Sequence, residues 1–136
     1  MRSSAKELVA CLTELLLDKG VPAFLLASNM TEANYRSIVY SRSGSSVIVE
    51  MKCADLDYPD VELEYRYTYN SSGYLVRCER ITADGIVIEW DRYEKLRSIV
   101  LELKTSGGSC ISNQVASIIS QHASDDDKRE LGVLAA

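Results

Sequence analysis

The sequence predicts an α+β fold: an antiparallel β-sheet of about five strands in a hairpin meander, with an N-terminal helix and two C-terminal helices packed on it. Three observations carry this reading. Apolar residues recur at helical spacing near both ends of the chain, the middle alternates with period two, and the alternating segments are joined by turns too short for the crossovers that parallel neighbours need.

The first helix rests on Ala5, Leu8, Val9, Leu12, Leu15 and Leu16, with Lys6, Glu7, Glu14 and Asp18 mostly between them. Ser4 and Glu7 have the spacing of a capping box, and Gly20 followed by Pro22 supplies a left-handed stop and a helix breaker. Val21 to Ala27 is a short apolar run expected to form a strand, with Ser28 to Asn34 as a connection or a single helical turn. Period two begins around Arg36 to Ser41 and continues from Ser46 to Cys53, where Val47, Val49, Met51 and Cys53 alternate with Ile48, Glu50 and Lys52. Ser43-Gly44-Ser45 joins these two segments as a hairpin loop.

Val61 to Tyr69 is the clearest strand, with Val61, Leu63, Tyr65, Tyr67 and Tyr69 on one face and Glu62, Glu64, Arg66 and Thr68 on the other. Asn70-Ser71-Ser72-Gly73 has turn composition, Tyr74 to Thr82 returns as the next strand, and Asp84-Gly85 predicts a type I′ hairpin into Ile86 to Trp90. Two helices close the chain, Arg92 to Lys104 and a shorter one around Asn113 to His122, separated by Gly107-Gly108. The tail from about residue 124 is expected to form another short helix or to fray. No linker, repeat or low-complexity segment interrupts residues 1–136, so one domain is expected.

A chain of 136 residues with 46% hydrophobic and 26% charged residues is long and apolar enough to bury a core without disulfides or metals. Its net charge of −5 opposes nonspecific binding to nucleic acid or to anionic lipid. Met1 to Gly20 lacks the uninterrupted apolar core of a signal peptide, and no stretch approaches the roughly 20 apolar residues a membrane helix needs. A cytoplasmic protein with no membrane partner is the expectation. Cys11, Cys53, Cys78 and Cys110 are scattered without zinc-site spacing and read as small buried hydrophobes. The sequons at Asn29 and Asn70 would matter only in a secreted protein.

No residue has the local signature of a catalytic group, and no cofactor or metal is expected. His122 lies where a helix C-terminus favours its positive charge, and Ser106-Gly107-Gly108-Ser109 lacks the lysine and spacing of a phosphate loop. Asp55, Asp57, Asp60, Glu62 and Glu64 read as a solvated turn and strand start, without the spacing of a calcium loop.

The candidate binding residues are Tyr65, Tyr67, Tyr69 and Trp90, an aromatic stripe on one face of the sheet that serves either as core or as a recognition surface. Arg77 and Glu79 join them in one register of the fourth strand. Pairing Asn70 with Tyr74 brings Leu75, Arg77, Glu79 and Ile81 to the tyrosine face, whereas a one-residue slip brings Tyr74, Val76, Cys78 and Arg80 there and leaves Arg77 and Glu79 in solvent.

These features favour a non-enzymatic protein–protein interaction module, an acidic adaptor or chaperone-like protein that binds a protein partner or associates with itself. The alternative is a small-molecule-binding or enzymatic domain with an aromatic-lined pocket on a curved sheet. A third reading, an acidic nucleic-acid mimic, draws on the carboxylates between Asp55 and Glu64, but −5 is modest for that role.

Overall fold

The computed structural model describes residues 4–106 and 109–135. In chain order, an N-terminal helix is followed by a five-stranded sheet in the order β1-β2-β3-β4-β5, antiparallel throughout, and then by C-terminal helices, the α+β class that the periodicity predicts. The chain divides into two compact units, one from both ends of the sequence and the other spanning Lys19–Asp91.

The first unit is helical. The Ser4 hydroxyl accepts the Glu7 N–H at 3.2 Å and opens α1 (Ala5–Leu17), whose buried stripe is Leu8, Leu12 and Leu16. In α2 (Arg92–Ser106) the matching stripe is Leu96, Val100 and Leu103, and α3 (Ser109–His122) contributes Val115 and Ile119. Helix α3 begins earlier than the apolar pattern predicts, and the Gly107-Gly108 break lies outside the described residues. The tail is helical rather than frayed: α4 (Asp125–Ala135) starts where the Ser124 hydroxyl accepts the Asp127 N–H at 3.2 Å, with three aspartates against its positive N-terminal dipole. Leu131 completes a core drawn from all four helices.

A buried arginine ties these helices together. Arg92, the first residue of α2, is fully buried and forms a two-pronged ion pair with the equally buried Asp127 of α4, at 3.1 Å and 2.7 Å. The same guanidinium donates to the carbonyls of Leu15, Leu16 and Asp18, which the end of α1 leaves without helical partners.

In the second unit, β1 (Tyr35–Ser43), β2 (Ser46–Ala54), β3 (Glu62–Tyr69), β4 (Leu75–Thr82) and β5 (Gly85–Asp91) follow the predicted strand bounds closely. The run from Val21 does not form the predicted strand. Ala23–Thr31 is a 3-10 helix instead. Pro22 has no N–H to give to a ladder, and the Ser28 and Thr31 hydroxyls bond the carbonyls three residues back, at 2.7 Å and 2.8 Å, which favours tight turns over extended chain. Leu26 of this helix packs against Val49, Met51, Tyr69 and Leu75 and forms the core of the sheet unit.

The β4–β5 hairpin also departs from expectation. Thr82 pairs with Gly85, so Ala83 and Asp84 are the turn residues, and neither has the positive φ of a type I′ turn. Gly85, at φ +133°, absorbs the mismatch between the turn and the twist of the strands.

Candidate functional site

Register decides which side chains share a face, and β4 realises both alternatives open in the sequence. The Asn70 N–H donates to the Tyr74 carbonyl at 3.0 Å, and Leu75 pairs with Tyr69, as in the first register. Thr68 then pairs with Arg77, so Val76 is an extra residue, and beyond this bulge Cys78 lies opposite Tyr67 and Glu79 opposite Arg66, as in the second. A second bulge against β5 puts Trp90 opposite Cys78 and Ile88 opposite Glu79, with Glu89 as the extra residue.

The tyrosine face therefore carries Tyr65, Tyr67, Tyr69, Trp90 and Cys78, without Arg77 or Glu79. Tyr69 is core, only 1% exposed, and its hydroxyl donates to the Val21 carbonyl at 2.7 Å. Tyr65, Tyr67 and Trp90 pack against this core half-buried. Tyr65 and Tyr67 also line a concavity of about 510 Å³ with Tyr35, Asn34, Asp55 and Asp57. Burial pushes the Tyr67 hydroxyl above its ordinary value of 10.0, and the same cause lifts the Cys78 thiol to about 11. Burial, followed by the negative charges of Asp55 and Glu62, raises the Cys53 thiol as well. Both thiols stay protonated at neutral pH, which leaves them little nucleophilic thiolate.

Arg77 and Glu79 sit on the opposite face in ion pairs. Glu79 is 7% exposed rather than solvated, because Arg66 lies directly across from it and donates through two nitrogens at 3.0 Å and 3.2 Å. Arg77 bonds Asp91 at 3.1 Å and Arg80 bonds Glu89 at 2.7 Å. Each of these charges is thus matched within the sheet. The pair that the first register would have placed among the aromatics is not brought to them.

The two edges of the sheet differ in chemistry. Edge strand β1, Tyr-Arg-Ser-Ile-Val-Tyr-Ser-Arg-Ser, is interrupted by Arg36, Arg42 and serines, the kind of residue that discourages strand addition. Edge strand β5 begins Gly-Ile-Val-Ile, with no charge before Glu89. Ile86, Val87 and Ile88 are 53%, 40% and 52% exposed, side chains on both faces of one edge. The sequence carries this signal as an uncharged β-branched run, but its meaning depends on β5 being an edge, which only the strand order establishes.

The acidic stretch is a local turn. The Asp55 carboxylate accepts the N–H groups of Asp57 and Tyr58 at 2.8 Å and 3.2 Å, and Val61 closes back on Tyr58. Among the described residues, no group of three or more His, Cys, Asp or Glu side chains is placed to hold a metal ion, and no helix is long and apolar enough to cross a membrane. Cys11 and Cys110 are exposed rather than buried, contrary to the sequence reading of all four cysteines as small buried hydrophobes, because each falls on the outer side of its helix.

Comparison with protein-family models, with curated proteins and with solved structures gives no match to this chain.

Proposed function

We propose that this protein is a non-enzymatic protein–protein interaction module that docks by strand addition at β5, with a second copy of the chain as the occupant of that edge. The observation that carries this reading is the exposed, uncharged Gly85–Ile88 edge, in contrast to the opposite edge at β1, which is guarded by arginine and serine. The main chain of an unpaired edge offers N–H and C=O groups to an incoming strand, and alternate side chains give the contact its apolar content.

The charge pattern of β5 suits pairing with itself. In an antiparallel pair centred on Val87, Ile86 of one copy faces Ile88 of the other, and Glu89 faces Gly85, so no like charges oppose. The bulge at Glu89 bends the strand beyond this stretch and confines regular pairing to its first half.

Sedimentation equilibrium of the wild type and of the Ile86→Lys/Ile88→Lys double variant tests the proposal. The wild type is expected to dimerise with rising concentration, and the variant to stay monomeric with an unchanged circular dichroism spectrum. A wild type that remains monomeric, or a variant that dimerises equally well, contradicts it.

A further inference from the structure

We infer that the cavity beside the β3–β4 turn is a binding site for an apolar carboxylate, a carboxylic acid carrying an aromatic or aliphatic body. The cavity has a volume of about 680 Å³, within the range of small-molecule pockets, and lies wholly inside the sheet unit. Its walls divide by chemistry. Phe24, Val47 and Tyr69 supply apolar and aromatic surface, Lys19 and Arg42 supply two positive charges, and no aspartate or glutamate lines it.

That charge pattern is unusual for this protein, which carries a net charge of −5. Six arginines, Arg66, Arg77, Arg80, Arg92, Arg97 and Arg129, are each ion-paired to a carboxylate. Among the described residues, neither Arg42 nor Lys19 makes such a pair. The Lys19 ammonium instead sits 5.3 Å from the centre of the Tyr74 ring, a contact that fixes the side chain without neutralising its charge.

The site is built on fixed chain. Arg42, Val47 and Tyr69 occupy successive positions in one row across β1, β2 and β3, so all three project from the tyrosine face. The segment that carries Lys19 is pinned over the end of the sheet by two hydrogen bonds. Leu75 N–H donates to the Lys19 carbonyl at 2.9 Å, and the Tyr69 hydroxyl donates to the Val21 carbonyl at 2.7 Å. Gly20 lets this segment come close: it has φ +74°, and a Cβ there would stand 2.8 Å from the Leu75 Cβ. An anionic head between Lys19 and Arg42 with its body against Phe24 would answer both walls.

A free acid and the C-terminus of a peptide both present a carboxylate beside an apolar group. NMR titration of the ¹⁵N-labelled protein with 3-phenylpropionate, 3-phenylpropanol, and a phenylalanine-terminated tetrapeptide in free-acid and amidated forms separates the two sources. The acid, or the free-acid peptide, is expected to shift the amides of Gly20, Val47 and residues 70–73. The neutral alcohol or amidated peptide is expected to bind about three- to ten-fold more weakly. Arg42→Gln and Lys19→Gln should each weaken the acid by a similar factor and leave the alcohol unchanged. Equal binding of acid and alcohol, insensitivity to both variants, shifts confined to other parts of the protein, or no binding by any probe would overturn the inference.

Discussion

The Arg92–Asp127 pair gives the sharpest test of how the helical unit is held. Asp127→Asn changes little in shape but leaves a fully buried guanidinium without its counter-charge. Removing one partner of a buried ion pair costs about 3–5 kcal/mol, because the survivor cannot recover its lost hydration. Arg92→Met should cost at least as much, since Asp127 is stranded and the Leu15, Leu16 and Asp18 carbonyls lose their donor as well. The double variant Arg92→Met/Asp127→Leu removes both charges but still leaves those three carbonyls bare. A buried acceptor without a partner costs about 1–3 kcal/mol, so the double variant should remain less stable than wild type while falling at least about 2 kcal/mol short of the sum of the singles. Urea unfolding followed at 222 nm reads these differences in the helical signal. A cost below about 1 kcal/mol for Asp127→Asn, or additivity within about 0.5 kcal/mol, would refute the reasoning.

Gly20→Ala combines a left-handed backbone with a 2.8 Å approach to Leu75 and should lower stability by about 2–4 kcal/mol, read from the urea midpoint of Trp90 fluorescence; a change below about 0.5 kcal/mol would contradict it. At mildly alkaline pH a thiol reagent should modify the exposed Cys11 and Cys110 rapidly, and Cys53 and Cys78 only after denaturant is added, which mass mapping of the labelled peptides would check. Because burial raises Cys78 from 9.0 to about 11, the unfolded chain loses this proton before the folded one. The associated stability is intact below about pH 9 and lost as pH rises towards about 11, with raised Tyr35, Tyr67 and Tyr69 extending the decline upwards. Urea midpoints at neutral pH and at two alkaline values should fall accordingly, and Cys78→Val should flatten the lower part of the fall.

Much of the fold is legible in the sequence because its signals are local. Leu8, Leu12 and Leu16 on α1 and Val49, Met51 and Cys53 on β2 are buried where their periodicity places them. The errors come where distant groups decide. Val76 is an extra residue in one ladder, so β4 combines two registers that alternation alone treats as exclusive. Arg92 looks like an ordinary polar residue at a helix start, yet its partners stand 35 and up to 77 positions away. Phe24, Arg42 and Tyr69 reach one cavity from a 3-10 helix and two strands, and nothing in their spacing announces it. Tyr65 and Tyr67 do share a face, as the alternation predicts, whereas Trp90 joins them through the bulge at Glu89, and Arg77 and Glu79 are turned away by the bulge at Val76.

Amide hydrogen exchange along β5 tests strand addition most directly. Measured on the wild type at low and high protein concentration, the amides of Gly85–Ile88 that face away from β4 should exchange quickly when dilute and gain protection when concentrated, with β1 unaffected. Protection of these amides that is independent of concentration, or a gain that appears in β1 or the helices instead, would contradict docking at this edge.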